Sequence, residues 1–557
     1  MPRWLRAILW IAVALLVVVP ITGVVVAVTQ QLRLGSVRLD GVGLKPMLLL
    51  TSLAWALGIS ALATIFAWPV AWCIRRHGLR LLPIVLLPLL APSYLAYHSL
   101  GIHRAPLTKL GDVIEWFAKP IEQGGQGWTE LPTLVSRGLA VAGLSLWVWP
   151  VAVIALAPGL TRLDQSVLDA AKLQGASWLR VQREVLRLQW RSVVIAFGVV
   201  TLLMLGSAVP MHLAQTPTYA ISAWQSIVLD PTLLTPWIAS WPLFVLIFGL
   251  AAVLWRFAGR SEESYSTSSD DAALPEDAAP VEDGKLLSRA AREVHASNVW
   301  TLLLLAMSVL VPLATYLISL KRFSSVHNFW IVGQGAVGLS AAVGALVGVA
   351  GAALFVIAWA IAASKSRRGA KRHSLSGLVL PAALLMIGAL TPGIMVGHAW
   401  SLVINQLSNF ASFENLRDTI LPVVLAHLTR FAIIPILAGA FFATLEPASL
   451  RDARTLAATT PWSMFKAWSR AELARGWAAA IGVGLALACL SLHEVESSIV
   501  IQPAGTSSLP QTILAQLHFA RQEEMAAAAI VVLTPAVVLA GVGLYFLSGR
   551  RTSPQRH

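Results

Sequence analysis

Charge is what this chain has least of. Only 12% of its 557 residues are Asp, Glu, Lys or Arg, whereas an ordinary soluble domain carries roughly a quarter. Hydrophobic residues make up 57%, and the mean hydropathy is +0.72. Most of the chain therefore belongs in lipid. Cysteine is nearly absent as well. Cys73 and Cys489 stand in separate apolar stretches, which argues against a disulfide framework or a cysteine metal site and leaves both as small apolar packers. Nowhere does G-x-x-x-x-G-K-[ST], H-E-x-x-H or G-x-S-x-G occur, and no His/Asp/Ser set stands out in the loops. Catalytic residues, a bound metal and a cofactor are accordingly not expected, and the chain cannot cradle ATP phosphates by the usual loop.

What is present is a series of apolar runs, at about 7–29, 49–74, 80–101, 138–160, 192–212, 236–255, 299–320, 335–363, 375–404, 419–444, 477–501 and 525–548. Each is near the ~20 residues a helix needs to cross the hydrocarbon, so the reading is an all-α integral membrane protein of about twelve transmembrane helices. The net charge of +14 is a topology signal rather than a nucleic-acid footprint. With the N-terminus inside, the cytoplasmic segments hold 29 Lys and Arg and the outer loops 11, which predicts both termini in the cytoplasm. The first run, from about Ile8 to Val28, exceeds the h-region of a signal peptide and reads as the first membrane helix.

The runs fall into two sets of six. Between them, residues 261–283 hold eight acids and no base, the composition of a disordered linker. In the third run of the first set, Leu90-Ala91-Pro92-Ser93 leads to His98; in the third run of the second set, Leu390-Thr391-Pro392-Gly393 leads to His398, at a constant offset of 300. Asp169-Ala170 matches Asp452-Ala453 at an offset of 283, the difference fitting the longer outer loop at about 102–137. The predicted organisation is a first half at 1–260 (core 49–255, cytoplasmic segment 161–191), an acidic cytoplasmic linker at 261–298, and a second half at 299–557 (core 335–548, cytoplasmic segment 446–475). Two six-helix repeats in one orientation imply a pseudo-twofold axis along the membrane normal, with a pathway at their interface.

The two cytoplasmic segments carry the functional signal. Leu168-Asp169-Ala170-Ala171-Lys172-Leu173-Gln174-Gly175 places helix formers before a glycine that permits a sharp turn. In the second half Asp452-Ala453 is followed by Pro461-Trp462 and then Phe465. Each segment resembles the EAA coupling loop of importer permeases, in which small alanines let a short helix seat closely in a partner's groove and the acid pairs with a basic residue there. The copies depart from that pattern in complementary ways. The first keeps the acid, both alanines and Gly175 but has Gln182 for the aromatic and Leu188 for the terminal proline; the second has Arg454 for an alanine, Ala458 for the glycine and Ala471 for the terminal proline.

Over almost its whole length the chain is similar to the fused, two-copy MetI-like permeases of the iron(III), thiamine, phosphonate and polyamine importer group. That resemblance implies a bacterial inner-membrane subunit with two copies of a cytoplasmic ATPase and an extracytoplasmic substrate-binding protein as partners. It implies ATPase coupling through Asp169, Ala170, Ala171, Gly175, Asp452, Ala453, Pro461, Trp462 and Phe465. It also implies an outer gate around Gly206 to Thr218 and around His493 to Thr506. Within the membrane the polar residues are few. Glu494 and Glu496 stand near the outer end of the eleventh run, and Arg430 in mid-run in the tenth, with His427 three residues earlier. A pairing of Arg430 with a neighbouring helix is weighed against a direct substrate role. His98, His398 and His493, all assigned to the outer half of the membrane, are weighed as packed histidines against pathway residues. The scarcity of mid-membrane acids disfavours the alternative, an ion-coupled secondary transporter, which needs titratable groups there.

Overall fold

Apolar runs in lipid must satisfy every backbone N–H and C=O internally, which leaves the helix as the available element. In this computed structural model, residues 3–34, 43–78, 81–101, 131–161, 163–214, 216–230, 234–263, 296–363, 376–444, 473–519 and 521–548 are described, and among them every regular element is a helix. Five unbroken helices are long and apolar enough to cross a membrane: Trp4–Arg33, Pro46–His77, Arg137–Thr161, Ala296–Ser319 and Ser324–Ala363. Counting three bent pairs as one span each raises the number to eight, and three shorter apolar helices accompany them. The chain is a membrane protein. The acidic linker beyond Glu263 and the second segment expected to face the cytoplasm, with Asp452, Ala453, Pro461, Trp462 and Phe465, lie outside the described residues.

Sequence on either side of the linker builds the same packing. Before it, Pro46–His77 lies along Leu131–Thr161 and Trp190–Leu205; after it, Ser324–Ala363 lies along Leu473–Leu492 and the bent pair Leu421–Phe431 and Ile433–Thr444. Small residues set the closeness of the second group. A Cβ at Gly348 would meet the Gly484 carbonyl at 2.7 Å, and one at Gly484 would meet the Gly348 carbonyl at 2.8 Å. The two backbones thus touch at paired glycines, as lipid-embedded helices do where no hydrophobic drive holds them together.

A polar contact recurs as well. Ser52 Oγ accepts from Tyr219 N at 3.0 Å, and Ser340 Oγ accepts from Leu509 N at 2.9 Å. Each donor opens a short helix capped by the preceding hydroxyl: Thr218 caps Tyr219–Leu229 and Ser508 caps Leu509–His518.

The first helix on each side of the linker crosses to the opposite group. Along Trp4–Arg33, Leu16 O accepts from Thr429 Oγ1 at 3.1 Å and Gly23 O from Gln406 Nε2 at 3.2 Å. Along Ala296–Ser319, Trp300 Nε1 donates to Phe66 O at 3.2 Å and Tyr316 OH to Leu95 O at 2.8 Å. Leu5 and Leu9 accordingly belong to the second group's core, and Leu304 and Tyr316 to the first's.

Several of the expected spans are not continuous helices. The tenth bends by 47° between Leu421–Phe431 and Ile433–Thr444, and the sixth is interrupted at Ser240 between Thr235–Ala239 and Trp241–Glu263. Residues 80–101 break at Ala91, whose backbone is extended at φ −94° and ψ 145°. Ser376–Leu390 and Gly393–Leu407 meet at 101° across Thr391-Pro392. In both of these third spans, the proline clashes with a helical residue before it and removes an N–H, so the helix stops at the preceding position. The fifth span ends at Leu205 rather than near 212, and the eleventh at Leu492 rather than near 501. Each is followed by irregular backbone that lies inside the protein, where such backbone is tolerated.

Candidate functional site

Two regions hold the predicted site residues. The first is the segment after Thr161. Asp164 Oδ1 accepts from Ser166 N at 2.9 Å, and that bond, with the Ser166 hydroxyl, holds the Asp164 carboxyl below the usual carboxylate range. The turn starts the helix Gln165–Leu173, which carries Asp169, Ala170 and Ala171; Gly175 follows at φ +75°, and a second helix runs from Trp178 to Leu188. That second helix meets Trp190–Leu205 at 72°. Gly175 has nothing within 4 Å of a built Cβ, so only its left-handed backbone requires glycine there.

The second helix is amphipathic. Val181 and Val185 are buried, while Trp178 and Leu179 are 51% and 71% exposed. Gln182, at the position where the coupling pattern has an aromatic, accepts from Trp68 Nε1 at 2.9 Å and ties the segment to Pro46–His77. Arg75 adds a second tie, donating to Leu163 O at 2.9 Å and Gln165 Oε1 at 3.1 Å. The result is a hairpin of two short helices tied to Pro46–His77, with Trp178 and Leu179 exposed among charged side chains.

The second region is a buried ionic cluster. Arg430 Nη1 lies 2.7 Å from Glu494 Oε1 and 3.5 Å from Glu496 Oε2. Glu494 Oε1 also accepts from Ser497 N at 3.0 Å and Ser497 Oγ at 3.2 Å. Glu496 reaches across the molecule: its Oε1 accepts from Ala208 N at 2.8 Å and Val209 N at 3.0 Å. One carboxylate thus joins the guanidinium on one side of the linker to backbone amides on the other.

The break in the third span of the second half makes room for this cluster. Any Cβ at Gly393 would collide with Arg430 Nη1 and Glu496 Cβ. Leu390 and Pro392 also approach Gly206, whose built Cβ would sit 3.6 Å from Leu390 O and 3.8 Å from Pro392 Cα. At the 283-residue offset Arg430 falls opposite Trp147, and Trp147 Nε1 donates to Ala91 O at 2.7 Å. Trp147 thus bonds the break of its own third span, whereas Arg430 stands against Gly393 at the other break and donates to Glu494.

The histidines do not form one site. His98 stacks on Tyr316 with ring centroids 6.3 Å apart, and His398 Nδ1 accepts from Trp237 Nε1 at 3.1 Å. His493 adjoins Glu494 in sequence, and its Nε2 is buried without a partner. His427 Nδ1 pairs with Ser491 Oγ at 2.7 Å. Among the described residues no group of three or more His, Cys, Asp or Glu is placed to hold a metal ion.

Sequence reasoning missed the amide contacts of Glu496, the role of Gly393 and the anchoring of Gln182. Only Gly393 left a signal, standing where the matching motif has Ser93. Comparison of the chain with protein families, with curated proteins and with solved structures finds no match.

Proposed function

We propose that this chain is the membrane-spanning subunit of an ATP-driven importer, with two six-helix permease halves of twelve crossings in all fused in one polypeptide and both termini in the cytoplasm of a bacterial cell. The observation that carries the reading is the anchored hairpin of Gln165–Leu173 and Trp178–Leu188, turned at Gly175 and presenting exposed Trp178 and Leu179. Exposed apolar side chains on a support tied to a long helix are what a partner's groove needs. The partner in this reading is a cytoplasmic ATPase, two copies of which dock on this hairpin and on the segment around Asp452 to Phe465. An extracytoplasmic binding protein delivers the substrate, which the resemblance to fused permeases places among iron(III), thiamine, phosphonates and polyamines. The cluster of Arg430, Glu494 and Glu496, bonded across the halves to Ala208 and Val209, serves as part of the gate.

Alanine and charge variants at both segments test the coupling. Asp169→Arg and Phe465→Ala should each reduce the ATPase retained on tagged permease at equal expression, the second by about thirty-fold if a buried aromatic anchor is worth ~2 kcal/mol. Normal retention by both would leave these segments as ordinary basic loops. A second reading, an ion-coupled secondary transporter, draws on the same ionic cluster, since buried carboxylates are what such a transporter needs.

A further inference from the structure

Beside the ion pairs lies a hollow of about 20 Å³, walled in part by Ser340, His427, Ser491, Glu494, Ser498 and Gln502. That is room for a single water-sized occupant. His427 is 2% exposed, its Nδ1 bonds Ser491, and its Nε2 is buried with no protein partner. Both amide atoms of Gln502, Oε1 and Nε2, are likewise buried and unpartnered. Buried polar atoms are rarely left so, and three around one void call for an occupant.

Charge narrows its chemistry. Arg430 alone faces two carboxylates, Glu494 and Glu496. The amides of Ala208, Val209 and Ser497 contribute dipoles to those carboxylates but no net charge. With both carboxylates ionised and His427 and His493 neutral, the cluster is short of one positive charge, and an unbalanced buried charge is strongly unfavourable. A divalent ion would overshoot the deficit and holds its waters tightly. Oxygen dominates the available donors, which suits a hard cation.

We propose that the hollow binds one dehydrated monovalent cation of sodium's size. Its ligands are drawn from the Glu494 carboxylate, the Gln502 amide oxygen, a serine hydroxyl and His427 Nε2, whose lone pair is available when Nδ1–H donates to Ser491. The site exists in one half only. At the 283-residue offset Leu144 stands opposite His427 and Ala208 opposite Ser491, both buried and apolar.

This inference is independent of the importer reading, because it concerns what fills the hollow and not what docks outside. The test is equilibrium binding of radioactive sodium to the full-length chain, purified in detergent with choline as the only other cation, alongside its thermal melting with sodium, potassium and magnesium. A single sodium bound per chain is expected, with a rise in melting temperature that magnesium does not reproduce. Gln502→Ala, at a side chain whose amide has no protein bond to lose, should weaken sodium binding about tenfold or more, as the loss of a polar partner at an ion site does. No bound sodium, or binding that Gln502→Ala leaves unchanged, would overturn the proposal and assign the hollow to water and a proton to one of the carboxylates.

Discussion

Arg430 and its two carboxylates show what a single residue in lipid commits a structure to. An arginine inside an apolar run is visible in any sequence, and Glu494 and Glu496 stand out for the same reason. Their connection is not visible, because half of it runs through the backbone amides of Ala208 and Val209, which any residue there except proline would offer. Removing one partner of a buried pair is worse than removing both. Arg430→Gln should lower stability by about 3–5 kcal/mol, and Arg430→Gln with Glu494→Gln should recover part of that loss; thermal melting in detergent compares them. Gly393→Ala drives a methyl into Arg430 and Glu496 and should cost about 1–3 kcal/mol by overpacking. Gly335→Ala, in open space on the Ser324–Ala363 helix, is the control and should be neutral or slightly stabilising. Equal effects from the two glycine variants would contradict the crowding at the break. The histidines were legible only as residues: hydropathy assigns His98, His398 and His493 to one half of the membrane, but packing sets His98 on Tyr316 and His398 on Trp237 and leaves His493 Nε2 buried without a hydrogen-bond partner.

Among elements, the breaks and turns follow directly from residue chemistry. Pro92 and Pro392 fix where the third spans bend, and Gly175 fixes where the hairpin of Gln165–Leu173 and Trp178–Leu188 turns. Hydropathy alone hid the bends, since the residues on both sides of each proline are equally apolar. The early ends of the fifth and eleventh spans were hidden because apolar residues recur beyond them, Val209, Met211 and Leu213 after the fifth and Val495 and Ile499 to Ile501 after the eleventh, without being parts of the long helices. At Gly175 only the backbone matters, so Gly175→Asn should keep ATPase docking closer to normal than Gly175→Ala. Gly175→Val should be worst, with left-handed backbone worth about 1–2 kcal/mol per residue. In the second segment Trp462 and Phe465 should outweigh Asp452, so Phe465→Ala should release more ATPase than Asp452→Ala, as anchors exceed rim charges. The reverse order would place the docking energy in the charge.

For the whole molecule, matched motifs point to a repeat, and the helices on either side of the linker pack in matching ways, but the crossing of Trp4–Arg33 and Ala296–Ser319 onto opposite groups was not legible. Lipid-facing helices carry the same apolar composition whichever neighbour they choose. That exchange predicts that a chain cut within the linker, expressed as two fragments, still assembles, because each fragment's first helix is bonded to the other. Failure of the fragments to co-purify would contradict the exchange. Sidedness follows from the basic bias. Cysteine at position 323, where Phe323 is 82% exposed, should react with an impermeant thiol reagent outside intact cells, and cysteine at position 268 in the linker should not. Cys73 and Cys489 are both buried and give little background.

The central claim is that an attached ATPase supplies the energy. Its most direct test is to reconstitute the tagged chain in liposomes, alone and with the cytoplasmic ATPase that co-purifies with it and the matching binding protein, and to follow uptake of labelled iron(III), thiamine, a phosphonate and a polyamine. The account predicts accumulation of one of these only with ATPase, binding protein and ATP together, and none by the chain alone under an imposed proton or sodium gradient. Gradient-driven uptake by the chain alone would contradict it and establish the secondary transporter instead.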